Sequence, residues 1–548
     1  MKKTMLKLTA ALLAAAVMSG CANTDSTVKG TSVAQTSETE AEGFTGLSIS
    51  AVDDGTFEVK LNSVTPYFLE LTSFPTFMPI KQDTVEANGD AWATQADSYI
   101  TSGAYKLTEY TPGYRLVYEK NENYWDAANV KPNKISYTLT DDQVAQYDAF
   151  EKGTMQFIDE IPTNEYDTIS KEESFHTMPM LGTYFQSFNT QKEPFDNPLV
   201  RKAFSLAIDR ERIARTIAKG WTAAGSYVAL GTPDADPGSS FREVGGDFID
   251  PSADAYEANK KAAQEALAEA GYPNGEGFPN VEYLYAERDI YKPVAESLQS
   301  MWKDVLNVNV SITSQEWATL LSTRKNGEYQ ITTDRWINDY SDPIGMLDLF
   351  TSHSGNNDPQ YRSPEYDALI AKIKLSNDSK ERFALMHQAE ELLLSDYAIA
   401  PYLYYTDYYM IDPQFAKSLI VNPLGWKFFR EIDTPELSVC GGPNPDTIDP
   451  ALNTALDSGI MVLTGFEGLY RYNRAGILEP ALAESVTVSD DGLTYTFKLR
   501  DGLKWSDGTP LTAKDFVYAW NRAADPATGS DYQYIFSVVD GFVESGDE

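Results

Sequence analysis

Few side chains in this sequence stand where covalent chemistry would need them. Its two cysteines are Cys21 and Cys440, and its three histidines, His176, His353 and His387, lie far apart. No histidine falls in an HExxH spacing or beside a cysteine, so neither a metal centre nor a cofactor is expected. The GxSxG signature of an activated serine is also missing. Carboxylates are plentiful, and motif absence alone does not remove a hydrolase that works with an acid–base pair. Asp339 stands in the run Trp336-Ile337-Asn338-Asp339-Tyr340-Ser341-Asp342-Pro343. Read from those residues alone, it caps a turn in a DYSDP loop.

The charge balance narrows the partners. The formal net charge is −37, and residues 1–43 balance to zero, so the imbalance lies entirely in the body. Such a surface repels nucleic acid and anionic lipid head groups, so neither is an expected partner. Length adds that the chain is large enough for two or three domains. Aromatic residues make up 12%, enough to fill a core and still line a groove.

The beginning of the chain reads as an address. Lys2, Lys3 and Lys7 precede a short apolar run, Leu8 to Val17, too short to cross a bilayer. Met18-Ser19-Gly20-Cys21 follows and resembles a lipobox, in which the cysteine is lipidated and becomes the first mature residue. Residues 1–20 are therefore expected to be a lipoprotein signal peptide, and the Ser/Thr/Glu-rich residues 21–43 a flexible tether. With Cys21 lipidated, Cys440 has no disulfide partner and reads as a small buried residue.

The body mixes strands and helices without strict alternation, which predicts an α/β or α+β chain of several lobes. Asp53-Asp54-Gly55 feeds an alternating strand at 57–61, and Asp490-Asp491-Gly492 feeds another at 493–499. Both are expected in one small sheet. Residues 103–125 predict two strands around Pro112-Gly113. Helices are predicted over 196–219, 253–270, 293–305 and, as one or two, 364–396; strands are predicted at 307–313 and 401–410.

Several of these runs together resemble the peptide-binding proteins of ABC importers, the family 5 extracellular solute-binding proteins. The most specific is 479–522, with its KWSDGTPLTAKDFVYAWNR. GAYKL at 103–107 with NENYWDA at 121–127, VRKAFSLAIDRERI at 200–213, RWINDYSDPIGMLDLF at 335–350 and YRSPEYDALI at 361–370 complete it. Their order is unusual, because in that family the KWSDG block precedes GAYKL. Placing 436–548 before 44–435 restores the family order, so a circular permutation is expected, with a rearranged gene or an assembly artefact as the competing account.

The resemblance implies a two-lobed periplasmic-binding-protein-like clamp with an extra small α+β domain. The expected units are 44–102 plus 481–548 for the small domain, 103–232 plus 405–480 for lobe I and 233–404 for lobe II. It also implies a peptide ligand, ABC importer permease subunits as partners, a monomer, and an extracytoplasmic place on a lipid anchor. An enzyme is not expected.

By the same resemblance Asp339 partners the peptide α-ammonium, the backbone of Trp336, Ile337 and Asn338 pairs with the peptide, and Tyr340 belongs to the motif. Trp336 and Trp317 match pocket walls, and Arg324 matches a contact for peptide carboxylates. A second basic position is occupied by Thr333, with Arg335 as its nearby substitute, and a family histidine aligns with Tyr291. Glu467, Gly468 and Leu469 match a strand on the ligand's other edge, and Tyr534, near Tyr532, matches an aromatic facing it. Other solutes bound within the superfamily, such as nickel complexes, haem or oligosaccharides, and a signalling-peptide role remain alternatives to nutrient peptides.

Overall fold

The computed structural model describes residues 44–543 except 237, 288–289 and 377, together with all their side chains but those of 163, 317 and 318. The expected signal peptide, the tether and Cys21 lie outside the described residues. No helix among the described residues is long and apolar enough to cross a membrane.

Two long strands organise the body. Phe175–Phe188 and Ile399–Ile411 pair antiparallel, and both are rich in the aromatic and apolar side chains that suit a pleated, buried surface. Their pairing slips between Pro401 and Leu403 and between Tyr404 and Thr406, a pair of bulges that bends the ladder midway. The two strands sit inside an eleven-stranded mixed sheet. Ile331–Ile337, Val281–Ala286 and Val310–Gln315 extend that sheet beyond Phe175–Phe188. Beyond Ile399–Ile411 it continues through Phe157–Ile158, Glu436–Cys440, Lys134–Thr138, Arg115–Lys120 and Tyr105–Thr111.

The apolar cores divide at the bulges. A large core joins residues from 47–181 with residues from 409–539, and takes Met180 and Tyr409 from the long strands. Two further cores draw on 184–404, and take Tyr184, Phe185, Leu403 and Tyr404 from the same strands. The molecule is therefore an α/β clamp of two lobes joined by the long strands.

The last hundred residues fold back into the first. Glu436–Cys440 lies parallel to Lys134–Thr138 on one edge and to Phe157–Ile158 on the other. Thr494–Leu499 pairs with Thr56–Lys60, so the two strands that follow DDG turns are neighbours in a four-stranded sheet, as the sequence suggested. Helix Ala513–Ala524 starts in a capping box, with Thr512 and Asp515 satisfying each other's backbone. Its moment buries Phe516 and Trp520 against Phe57, and the Trp520 indole donates to the Phe77 carbonyl at 2.8 Å. The two ends of the body also meet: Ser48 N–H donates to the Asp540 carbonyl at 2.6 Å, and Asp540 N–H to that of Lys60 at 2.9 Å.

Two helical runs divide. Residues 196–219 form Pro198–Leu206 and Arg210–Thr216, because Asp209 turns its side chain onto the Arg212 N–H and starts a new helix. Residues 364–396 divide likewise, with Asp378 capping Ser379–Ser395. Cys440 is free and fully buried, as read from the sequence.

Because the terminal segment supplies inner strands of both sheets, a chain ending at Pro435 is expected to lose cooperative unfolding altogether. Thermal circular dichroism checks this, and a sharp transition with native near-UV signal would contradict the interleaving.

Candidate functional site

The candidate site begins where strand Ile331–Ile337 leaves its sheet. One edge pairs fully with Phe175–Phe188, including Trp336 with Thr183 and Ile337 with Gly182. Asn338 N–H then donates to the Leu181 carbonyl at 2.7 Å. The other edge pairs with Val281–Ala286 only at Ile331 and Thr332. Along 333–337 that edge has no strand neighbour among the described residues. An extended chain can add there by backbone pairing. Gly182 is needed opposite, since a Cβ would come 2.9 Å from the Ile337 side chain and 3.0 Å from the Trp336 carbonyl.

The strand ends in the loop carrying Asp339. Its carboxylate accepts from Tyr532 Oη at 3.1 Å on Oδ1 and from Tyr534 Oη at 2.9 Å on Oδ2. Both tyrosines come from the C-terminal segment. Burial pushes the Asp339 carboxyl up to about 6, against the pull of the two hydroxyls, and no basic side chain among the described residues ion-pairs with it. The site therefore holds a half-buried carboxylate that has neutral donors and lacks a cation. Such a group can receive one.

The loop is fixed from both sides. Asp342 takes a forked pair from Arg382, at 2.7 and 2.8 Å, with both side chains buried, and the Asn338 amide donates to the Asp342 carbonyl at 2.8 Å. Across the lobes, Tyr340 stacks flat on Tyr67, with ring centres 4.1 Å apart. Glu70 accepts from both the N–H and the hydroxyl of Ser341, each at 2.8 Å, and from Tyr472 Oη at 2.5 Å.

The residues singled out in the sequence fall into different places. Asp339 and Tyr534 meet, and Trp336, Ile337 and Asn338 form the half-open strand end beside them. The Trp336 indole N–H is buried with no partner among the described residues. Tyr340 turns to Tyr67. Trp317 opens helix Trp317–Lys325, and its side chain lies outside the described residues. Arg324 is interior: its guanidinium lies 3.0 Å from Asp334 Oδ1 and 2.7 Å from Asp358 Oδ2, and donates to the Thr333 carbonyl at 3.2 Å. Arg335 shares a strand face with Thr333 and donates to Tyr184 Oη at 3.3 Å. Tyr291 is buried and faces Tyr184 at 6.0 Å between ring centres.

Glu467, Gly468 and Leu469 lie on the other lobe. The Glu467 carboxylate accepts from Tyr124 Oη at 2.5 Å and the Trp125 indole at 2.6 Å, so its side chain braces its own wall. Gly468 packs so closely on the Thr72 carbonyl that a Cβ would stand 2.0 Å from it. Leu469 is core. The same chain runs on to Tyr472, which reaches Ser341 through Glu70. A cavity of about 460 Å³ lies at the crossing of the long strands, lined by Met178, Pro179, Leu230, Tyr405, Val421 and Pro423; Asp339 is not in its wall.

Known proteins resemble this chain over most of its length. The sequence signature described as "Bacterial extracellular solute-binding proteins, family 5 Middle" matches residues 22–358 and 478–547. The dipeptide-binding protein DppE of Bacillus subtilis is 31% identical over 381 residues, which is 69% of this chain and 68% of that protein. Among solved structures, an oligopeptide-binding protein of an oligopeptide ABC transporter from Borrelia burgdorferi superposes with a TM-score of 0.55 at 28% identity, covering 66% of this chain and 70% of its own. Haemophilus influenzae OppA in complex with the peptide RPPGFSPFR gives 0.56 at 27% identity, over 67% and 71%.

The buried pairing of Arg324 makes a sharp test of its role. Arg324→Ala leaves Asp334 and Asp358 without their cation, and is expected to lower stability by about 3–5 kcal/mol. Denaturant unfolding checks this; unchanged stability with weakened ligand binding would return Arg324 to the cleft.

Proposed function

The chain belongs to the bacterial extracellular solute-binding proteins of family 5, and from that membership we propose that it captures peptides between its lobes and passes them to an ABC importer. The observation that carries the reading is Asp339, a cation-poor carboxylate at the end of a half-open strand. A peptide laid along residues 336–338 would pair through its backbone, whatever its side chains. Its α-ammonium would meet Asp339 and share the carboxylate with the hydroxyls of Tyr532 and Tyr534. Glu467, Gly468 and Leu469 supply the facing wall. Binding, rather than turnover, is the chemistry this arrangement supports, and the names of the relatives point the same way.

Further parts of the proposal rest on sequence. Cys21 is the lipid attachment point, residues 22–43 are the leash, and the protein works outside the cytoplasm as a monomer. We place the lobe crossing at 182–184 and 403–406, where the cores part, and so assign 184–232 to lobe II. The order of parts is a circular permutation of the family chain. In support, the body's two ends lie side by side at Ser48 and Asp540. A gene with 436–548 placed ahead of 44–435 is therefore expected to yield a protein of similar stability and ligand affinity, and insolubility of that product would count against it.

Mass spectrometry of material released from the denatured protein tests the ligand class; peptides are expected, and a sugar or metal complex would overturn the reading. In calorimetry with trialanine, Asp339→Asn is expected to weaken binding at least about thirtyfold, and N-acetylation of the peptide to do the same. The pH profile has a defined sign. The free carboxyl ionises near 6, so binding is full above about pH 7 and falls roughly tenfold per unit below 6. Stability runs oppositely: the native state holds the extra proton between 3.8 and about 6, so the contribution of Asp339 to folding declines as pH rises through that window. A flat affinity from pH 5 to 8 would refute the anchor.

A further inference from the structure

The loop that bears Asp339 belongs to one lobe but is also fastened to the other. On its own lobe the Asp342–Arg382 fork holds it rigidly to helix Ser379–Ser395. On the opposite lobe, three contacts reach it: Tyr67 against Tyr340, Tyr532 and Tyr534 against Asp339, and Glu70 against Ser341. The tyrosine pair must share Asp339 with an arriving cation. The Glu70 contact has no such competitor, because it ends on the backbone N–H and the hydroxyl of Ser341, two residues beyond the anchor.

We infer that Glu70 is a positioning residue for ligand capture, an interlobe clasp that sets Asp339 against its partner lobe through Ser341. Glu70 comes from the short helix Phe68–Leu71, whose Phe68 and Leu71 are buried in the large core, so its backbone does not drift. Tyr472 Oη fixes its Oε1, which leaves Oε2 aimed at the Ser341 N–H. A carboxylate accepting several hydrogen bonds in a half-buried setting is a strong acceptor, stronger than an amide of the same shape. These contacts exist only when the lobes are closed, since their two halves ride on different cores. They therefore add a share of closing free energy that does not come from the ligand. The affinity for any peptide then scales with the fraction of closed molecules. The clasp serves the peptide-binding reading above, yet its geometry stands without it.

The isosteric test is Glu70→Gln, which turns an NH₂ group or a weaker oxygen toward the Ser341 N–H. Small-angle scattering of protein stripped of ligand by unfolding and refolding is expected to show a larger radius of gyration for this variant than for the wild type. Affinity for trialanine is expected to fall roughly fivefold to tenfold, mostly through faster dissociation, while N-acetyl-trialanine stays a poor ligand for both. Ser341→Ala, which keeps the backbone contact, is expected to fall less, and the double variant to be less than additive. Should Glu70→Gln fail to fold, Ser341→Ala with Tyr472→Phe gives the same readouts. A folded Glu70→Gln with unchanged scattering and affinity would overturn the clasp. Failure of the wild type to bind any peptide would instead sink the proposed function, and the scattering comparison would still decide the clasp.

Discussion

A carboxylate withdrawn from water without a cation costs free energy, and much of the architecture here is what makes Asp339 tolerable. Two neutral hydroxyls from Tyr532 and Tyr534 offset part of that cost while leaving the charge unneutralised. A lysine or arginine in their place would satisfy the carboxylate and end its usefulness to a cationic ligand. Several other buried acids are paired with bases: Asp342 with Arg382, Glu390 with Arg242, Asp334 with Arg324, and Asp159 and Asp407 with Lys427. Glu70 also has neutral donors alone, but they tie it to Ser341 and Tyr472, whereas Asp339 stands at the end of the half-open strand edge.

Both tyrosines come from the far end of the chain, so the anchor exists only because residues 436–543 return to the body. The return is secured well away from the cleft. Glu436–Cys440 fills an inner position of the large sheet, and Trp520 sits fully buried among Phe57, Phe68 and Phe77. Burying side chains of this size contributes about 1.5–3 kcal/mol each. The cleft thus inherits its precision from a core that makes no ligand contact.

Local periodicity made the elements legible, and distance hid the partners. The DDG strands at 57–61 and 493–499 are legible because their alternation and turns are local signals. The split at Asp209 is hidden because a single capping residue inside an apolar helical pattern looks like a tolerated polar position. Asp339 itself is readable only through its motif, since its tyrosines lie almost two hundred residues away. Arg324 shows the same limit in reverse. Its motif position suggested a ligand contact, while Asp334 and Asp358, which claim its charge, become neighbours only in the folded strand and loop. Tyr340 and Glu467 likewise satisfy partners that no spacing announces. Glu70 carried no signal at all, being one acid in a strongly acidic chain.

That acidity and the specificity of the site are separate matters. A net charge of −37 draws cations of every kind toward the surface, but screening confines most of the attraction to about a Debye length. Selection must come from what a simple cation cannot do. A peptide brings an ammonium and, at a fixed distance from it, a backbone able to continue the ladder at residues 333–337. Free ammonium or a metal ion would meet Asp339 without that second set of bonds. On the proposed reading, the half-open strand edge would discriminate as much as the carboxylate, and the loop between them, fixed by Asp342 and Arg382, would hold the two in place for a peptide.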